Sequence, residues 1–207
     1  MRHPLRLHRI ARIACAVVLA AAFTVALQQS ARAAGGGVPP VPAAVQVPAG
    51  NKLFLVGHAI GTQNYVCLTS GSGVKFVLFT PQATLFNEGK QATTHFFSPN
   101  PDEGGTIRPT WQHSRDTSAV WGEVKPGNTS SDPAFVAPGA IPWLLVTVVG
   151  AQDGPDRGNK LMTTTFIQRL NTSGGAAPAT GCSASTDVGK QAFVPYTADY
   201  FFYKPAR

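Results

Sequence analysis

The sequence predicts an all-β protein: a single antiparallel domain of the β-sandwich or jelly-roll kind, with a β-barrel as the alternative. From position 51 onward, short apolar segments recur about every ten residues, and Gly, Pro, Asn or Asp separates them. Aromatic and β-branched residues fill these segments, which is typical of strands. No segment keeps apolar residues at i, i+3, i+4 and i+7 over three turns, so long helices are not expected.

The N-terminus has the layout of a secretory signal peptide. Four arginines and no acidic residue precede an apolar run of 13 residues, Cys15 to Leu27, which is too short to span a bilayer comfortably. Ala31-Arg32-Ala33 then supplies a small-x-small cleavage site. We expect residues 1–33 to be removed and the mature protein to be secreted or periplasmic, without stable membrane insertion. A membrane anchor is the alternative.

The mature chain divides into a leader and one domain. Residues 34–50 are rich in Gly, Pro, Ala and Val and carry no charge, which predicts an extended surface leader. Residues 51–207 are predicted to form a single all-β domain, in which Gly57 and Gly61 mark turns. Its strand candidates are Lys52–Val56, Gln63–Leu68, Val74–Phe79, Ala83–Phe86, Thr93–Phe97, Thr106–Trp111, Ser118–Val124, Trp143–Val149, Thr163–Leu170 and Val194–Tyr203. A single helical turn is allowed near residues 185–191.

The charge balance argues against nucleic acid as a partner. The whole chain has 17 Lys and Arg against 10 Asp and Glu, but five of the arginines lie in the signal segment. The remaining basic residues are scattered singly and nearly balance the acidic ones. The mature chain therefore has no basic stripe, and we expect no nucleic-acid partner.

The mature chain keeps two cysteines, Cys67 and Cys182. An even pair in an exported protein favours a disulfide, and the long loop that it closes would make the bond strongly stabilising. Two free buried thiols are the alternative.

The last strand candidate is the most aromatic stretch of the chain, and strand alternation divides it between two faces. Tyr196, Ala198, Tyr200 and Phe202 are predicted to share one face, with Asp199 on the other. A carboxylate in such surroundings is costly to bury alone. We therefore expect Asp199 either to face water or to pair with a basic residue, Arg169 being the first candidate.

Several blocks of the mature chain resemble the DUF3455 family of uncharacterised secreted proteins from bacteria and fungi. These blocks are Gly61–Cys67, His95–Phe97, Ile141–Leu144, Gln168–Gly175 and Val194–Tyr203. The resemblance covers nearly the whole mature chain and implies no established activity. Some members bear a malate dehydrogenase label, but this chain has no G-x-G-x-x-G after a strand and no βαβ rhythm.

No catalytic signature stands out, so no catalytic residue and no cofactor is predicted. The chain has no G-x-S-x-G elbow, and a disulfide would leave no thiol nucleophile. Glu123 and Asp199 are the only carboxylates within strand candidates that could be compared with a glycosidase pair. The mature chain's three histidines, His58, His95 and His113, lack metal-motif spacing, so no metal site is predicted from the sequence.

Candidate ligand-binding residues are polar or aromatic positions near the disulfide or in one hairpin. Gln63 and Tyr65 are candidates for a polar pocket beside Cys67, with ordinary strand hydrogen bonding as the alternative. Trp111 and His113 fall in one predicted hairpin with Trp121, where exposed tryptophans would stack on sugar rings and buried ones would join the core. His95 completes the set.

Three functional hypotheses follow from these observations. The first is a secreted, monomeric binding or envelope-associated module, with a carbohydrate or another envelope component as its partner. The second is a hydrolase or metalloenzyme whose site is assembled in space around His95, Trp111 and His113. The third is a structural protein without a small ligand.

Overall fold

The computed structural model describes residues 37–206, so the predicted signal peptide lies outside the described residues. Residues 37–39 are irregular, and the chain from Pro40 onward forms one compact unit. Within residues 37–206, no helix is long and apolar enough to cross a membrane.

Eight antiparallel strands, each bonded to its neighbours in chain order, close into a barrel in the described region. They are β1 (Asn51–Ser70), β2 (Gly73–Asn87), β3 (Lys90–Asn100), β4 (Thr106–His113), β5 (Ala119–Ser130), β6 (Trp143–Gln152), β7 (Phe166–Gly174) and β8 (Gln191–Pro205). Short 3-10 turns lie at Ala43–Val45, Pro101–Glu103 and Ser185–Asp187. The all-β antiparallel prediction is confirmed, and the barrel is the architecture that forms.

The barrel closes because β1 is long enough to pair with strands on both of its sides. It pairs with β2 from His58 to Ser70 and with β8 from Asn51 to Val66. Register shifts interrupt both ladders, one between Leu53 and Leu55 and the other between Asn64 and Tyr65. Such bulges bend a strand and increase its twist, which a sheet needs in order to close on itself.

The prediction that Gly57 and Gly61 mark turns is wrong, because both lie inside β1. A methyl group added to Gly57 would press against the Leu85 side chain, and one added to Gly61 would overlap the backbone of Gln82 and Ala83. These glycines therefore allow β1 and β2 to pack closely. A glycine inside a strand often marks such a close approach.

The barrel interior is packed with large apolar side chains. Trp111, Leu85, Ile167, Tyr200 and Phe202 are all at most 1% exposed. The four residues predicted to share a face of the last strand belong to this one core cluster, which confirms that face assignment.

A second apolar cluster lies on the outside of β6, β7 and β8, where part of the leader covers the sheet. Val45 is fully buried there, beside Phe201 and Tyr203 of β8. Gln168 donates a hydrogen bond from Nε2 to the Val45 carbonyl oxygen at 2.6 Å, and the Tyr203 hydroxyl donates to Gln168 Oε1 at 2.6 Å. The prediction of a purely surface leader is therefore wrong at this point, because the leader supplies the outer layer over an apolar face.

The predicted disulfide is confirmed. Cys67 on β1 is bonded to Cys182, which lies in the loop before β8, with the two Cα atoms 5.5 Å apart and a sequence separation of 115. In the chain-entropy model, closing a loop of that length stabilises the folded state by about 5 kcal/mol.

The predicted ion pair between Arg169 and Asp199 is wrong. The β7–β8 register places Arg169 opposite Tyr200 and Leu170 opposite Asp199. Because alternate residues point to opposite faces, Arg169 shares the interior face with Tyr200 while Asp199 points outward. Asp199 instead accepts hydrogen bonds from His58, at 2.6 Å, and from Asn171, at 2.8 Å.

Candidate functional site

An open cleft lies where β2 and β3 separate. The ladder between these strands runs from Asn87 and Lys90 to Ala83 and His95, and ends there. Beyond that point β2 continues along β1, and β3 continues along β4. The opening has a volume of about 880 Å³ and is called the β2–β3 cleft below.

Pro81 lies where the two strands part. Proline has no backbone N–H to donate to a neighbouring strand, so it favours a break in the ladder. One side chain reaches across the gap, since the Phe97 backbone N–H donates to Thr80 Oγ1 at 3.0 Å. The cleft is thus a local opening of the barrel wall, and Thr80 bridges it.

Hydroxyl, amide and aromatic groups dominate the lining of the cleft. The polar lining residues are Thr62, Thr80, Gln82, Thr84, Thr94 and His95, and the aromatic ones are Phe96, Phe97 and Phe193. No Lys, Arg, Asp or Glu of the described chain lines the cleft. Phe193 is 61% exposed and Ile60 is 64% exposed, so the rim offers apolar surface to solvent.

A chain of hydrogen bonds holds Gln82 on the cleft wall. Thr62 donates to Asn64 Oδ1 at 2.6 Å, and Asn64 donates to Gln82 Oε1 at 3.4 Å. These contacts use the oxygen of the Gln82 amide, while no described residue accepts from its nitrogen. The site can therefore offer an oriented amide donor among several hydroxyl groups.

His95 reaches the cleft from inside the barrel. It lies opposite Trp111 in the β3–β4 ladder and stacks on it, with ring centroids 4.3 Å apart and planes inclined by 10°. Its Nδ1 is 2.9 Å from the Thr110 carbonyl oxygen. A carbonyl can only accept, so Nδ1 carries the proton and Nε2 keeps its lone pair.

Burial lowers the pKa of His95 to about 3, an effect that the Thr110 carbonyl opposes and the positive charge of Arg169 reinforces. The imidazole is therefore neutral near pH 7. It therefore adds no charge to the cleft.

A group of tyrosines lies behind His95. The His95 and Tyr200 rings have centroids 5.3 Å apart, and the Tyr200 and Tyr196 hydroxyl oxygens are 3.3 Å apart. Burial raises the pKa of both tyrosines, so both are neutral phenols at physiological pH.

Gln63 and Tyr65, the two candidates near the disulfide, also point into the barrel. The Tyr65 hydroxyl donates to the Gly175 carbonyl oxygen at 2.7 Å. Gln63 is 2% exposed, and its Nε2 has no hydrogen-bond partner among the described residues. Both residues lie deeper than the cleft lining, and neither is part of it.

His113 contacts Asp116 rather than the other candidate residues. Its Nδ1 lies 3.0 Å from Asp116 Oδ1, at the turn between β4 and β5. The structure thus brings His95 and Trp111 together and leaves His113 with Asp116. In the region from 37 to 206, no group of three or more His, Cys, Asp or Glu side chains could hold a metal ion.

The remaining candidate residues from the sequence are either buried in the core or engaged in contacts away from the cleft. Trp111 and Trp121 are 1% and 5% exposed and belong to the packed core, so neither offers a ring face to a sugar. Glu123 is paired with Arg108 and Lys125, on a different strand from Asp199. Neither carboxylate lines the β2–β3 cleft.

Sequence reasoning missed the residues that line the cleft, among them Thr62, Thr80, Gln82 and Phe193. Threonine and phenylalanine are ordinary strand residues, so their identity alone gave no signal. The usable signal is Pro81, which lies between the strand candidates Val74–Phe79 and Ala83–Phe86. A proline within a strand also marks a position where the neighbouring strand is not paired.

Comparison with known proteins gives one match. A family model described as "Protein of unknown function (DUF3455)" matches residues 48–204, which includes the whole barrel except its last residue. No curated protein and no solved structure matches the chain significantly.

Proposed function

The chain belongs to the DUF3455 family, whose description names no activity, and we propose that it is an exported module that binds a neutral, hydroxyl-rich ligand. The ligand class is a carbohydrate of the cell envelope, and its binding site is the β2–β3 cleft. The protein works as a monomer in the periplasm or the extracellular medium.

The observation that carries this proposal is the lining of the cleft, which combines hydroxyl groups, an amide and aromatic rings without an ionised side chain. Threonine hydroxyls and the Gln82 amide can exchange hydrogen bonds with sugar hydroxyls. Phe193 at the rim can cover the apolar face of a sugar ring. Binding sites usually join a few placed polar groups to a larger apolar surface in this way.

The absence of charged lining residues favours a neutral ligand over an acidic one. An anion that leaves water needs a cationic or strongly donating partner to offset its desolvation. Within the described part of the chain, the cleft offers no lysine or arginine for that purpose. A neutral glycan loses less hydration and regains its hydrogen bonds from the hydroxyl and amide groups.

Export is supported by the disulfide between Cys67 and Cys182, since such bonds persist in oxidising compartments. A monomeric state is supported by the closed order of strands from β1 to β8, in which each strand already has a neighbour of the same chain on both sides.

Isothermal titration of the purified exported protein with neutral oligosaccharides from envelope polysaccharides tests the proposal. We expect saturable binding that weakens roughly tenfold in Phe193→Ala, which removes the rim ring. Phe79→Ala is the matched control, since Phe79 is 68% exposed but does not line the cleft. Equal loss in both variants, or no binding to any neutral glycan, would overturn the proposal.

A further inference from the structure

A second pocket lies at the end of the barrel where β1 begins and β8 ends, and it is called the barrel-end pocket below. Its volume is about 450 Å³. Its lining residues are Lys52, Met162, Thr163, Thr164, Thr165, Lys204 and Pro205. No Asp or Glu of the described chain is among them, so the charged side chains that residues 37–206 contribute to this pocket are both lysines.

The β1–β8 register brings the two lysines together. Lys52 lies directly opposite Lys204, so their side chains leave the sheet on the same face. Lys204 Nζ is 5.2 Å from the centroid of the Phe54 ring, and Phe54 packs edge-on against Phe202 of the interior. This cation–π contact holds the Lys204 ammonium group over the end of the apolar core. No carboxylate of the described residues forms an ion pair with Lys204.

The segment before β7 supplies most of the remaining lining. Thr165 fastens it to the strand ends, because its backbone N–H donates to the Tyr203 carbonyl oxygen at 2.8 Å and its Oγ1 donates to Asn51 Oδ1 at 2.7 Å. Thr163 differs, since among residues 37–206 neither its hydroxyl nor its backbone N–H has a hydrogen-bond partner. Thr163 is exposed, so it offers hydrogen-bonding groups to a ligand in the pocket.

The pocket also offers apolar surface. Met162 is half-buried, and Pro205 lies at the end of β8. The lysines add the methylene stems that carry their ammonium groups. A ligand that matches this lining has an anionic head and a short hydrocarbon body. The volume lies toward the small end of the range of about 300–1,000 Å³ for small-molecule pockets, which favours a short chain.

We propose that the barrel-end pocket binds a small amphiphilic anion. Its head is an oxyanion, a carboxylate or a phosphate, which lies beside the ammonium groups of Lys52 and Lys204, and its apolar body lies against Met162. Ammonium groups donate charge-assisted hydrogen bonds to such heads, and these are stronger than neutral ones. Like charges directly opposite each other in a ladder are unfavourable, and an anion beside both offsets their repulsion.

This site is separate from the β2–β3 cleft, because the two share no lining residue. The proposal therefore does not depend on carbohydrate binding. Phe193→Ala should leave anion binding unchanged, and Lys204→Gln should leave glycan binding unchanged, so failure of one proposal is distinguishable from failure of the other.

Isothermal titration of the purified protein with hexanoate and with hexyl phosphate, at pH 7 and low ionic strength, tests the proposal. We expect saturable binding of at least one hexyl anion with a stoichiometry near one, and the tighter anion identifies the preferred head. 1-Hexanol has the chain without the charge, and acetate has the charge without the chain. Each should bind at least about tenfold more weakly. The proposal is overturned if neither hexyl anion binds, or if either control compound binds as tightly.

Substitutions at Lys204 locate the binding site. Lys204→Gln removes the ammonium group and keeps part of the stem, so it should weaken binding of the hexyl anion roughly tenfold, while Lys204→Arg should retain it. Lys75→Gln is the matched control, since Lys75 is an exposed lysine of β2 outside the pocket. Equal affinities of Lys204→Gln and Lys75→Gln would overturn the proposal. The comparison with 1-hexanol uses the wild-type protein, so it decides even where a substitution lowers stability.

Discussion

His95 and Trp111 lie directly opposite each other on β3 and β4 and stack with their ring centroids 4.3 Å apart. The stack closes the inner side of the β2–β3 cleft, since His95 also lines the cleft. It links the outer surface of the sheet to the packed interior, where Trp111 is 1% exposed. A change at His95 should therefore affect both stability and ligand binding.

Acidification should destabilise the protein through His95. Its pKa is about 3 in the folded state and 6.5 as the ordinary value, so the unfolded chain binds the proton more tightly. The stability that His95 contributes is present above pH 6.5 and is lost as the pH falls toward 3. Because folding is linked to the protonation of His95, the free energy of unfolding should fall by about 3 kcal/mol by pH 4.5. Urea unfolding at pH 7 and at pH 4.5 would measure this decrease.

His95→Phe keeps an aromatic ring opposite Trp111 and removes the titrating group. In this variant the decrease in the free energy of unfolding between pH 7 and pH 4.5 should be smaller by about 3 kcal/mol. The decrease should persist in His58→Gln, a control at an exposed histidine. If His95→Phe and the wild type lost stability in parallel on acidification, the burial assigned to His95 would be contradicted.

Removing the disulfide should destabilise the fold strongly. Cys182→Ser opens a loop with a sequence separation of 115 residues, so the free energy of unfolding should fall by about 5 kcal/mol. Urea unfolding of the variant and of the wild type with and without reductant measures this loss. An unchanged wild-type midpoint in reductant would show that the bond adds no stability.

The buried Gln168 should fasten the leader to the outside of the barrel. Gln168→Ala removes the hydrogen bonds to the Val45 carbonyl and the Tyr203 hydroxyl. It should therefore lower the free energy of unfolding by about 2–3 kcal/mol and expose the leader to proteases. Limited proteolysis followed by mass spectrometry detects cleavage before residue 51. Gln46→Ala, at an exposed position of the same leader, is the control and should behave like the wild type.

A methyl group at Gly61 should force β1 and β2 apart. In Gly61→Ala the added carbon overlaps the Gln82 carbonyl oxygen and the Ala83 Cα, which are backbone atoms that cannot rotate away. Overpacking of this kind costs about 1–3 kcal/mol or more. Gly73→Ala is the control, since a carbon there meets nothing within 4 Å. Equal denaturation midpoints for the two variants would contradict the close approach of the strands.

The sequence was sufficient to predict the strand class, the disulfide and the two faces of β8. Aromatic and β-branched segments form strands wherever they can bury one face, so β3, β4 and β6 lie close to their predicted positions. The alternation from Tyr196 to Phe202 predicted the interior face because the period of a strand is two.

The choice between a sandwich and a barrel could not be made from alternation, because both bury one face of each strand. It depends on how far β1 bends, and hence on register shifts near Leu53 and Asn64 that have no sequence signature. Gly57 and Gly61 were misinterpreted for a related reason. A glycine that ends a strand and one that makes room for a neighbouring strand have the same local pattern.

The candidate site was predicted only in part. His95 and Trp111 were singled out as chemically distinctive residues, and the structure stacks them. The prediction that Arg169 pairs with Asp199 is wrong because it considers only the charges of the two residues. The β7–β8 register, which the sequence does not reveal, places their side chains on opposite faces of the sheet. The threonines of the cleft are functional candidates only because β2 and β3 separate beside them.

The most direct test of carbohydrate binding in the β2–β3 cleft is an amide-resolved NMR titration of the isotope-labelled protein with a neutral envelope oligosaccharide. Progressive, saturable shifts are predicted for Thr62, Gln82, His95 and Phe193, with Phe79 unaffected. Shifts confined to residues outside the cleft, or a spectrum that does not change at millimolar oligosaccharide, would contradict it.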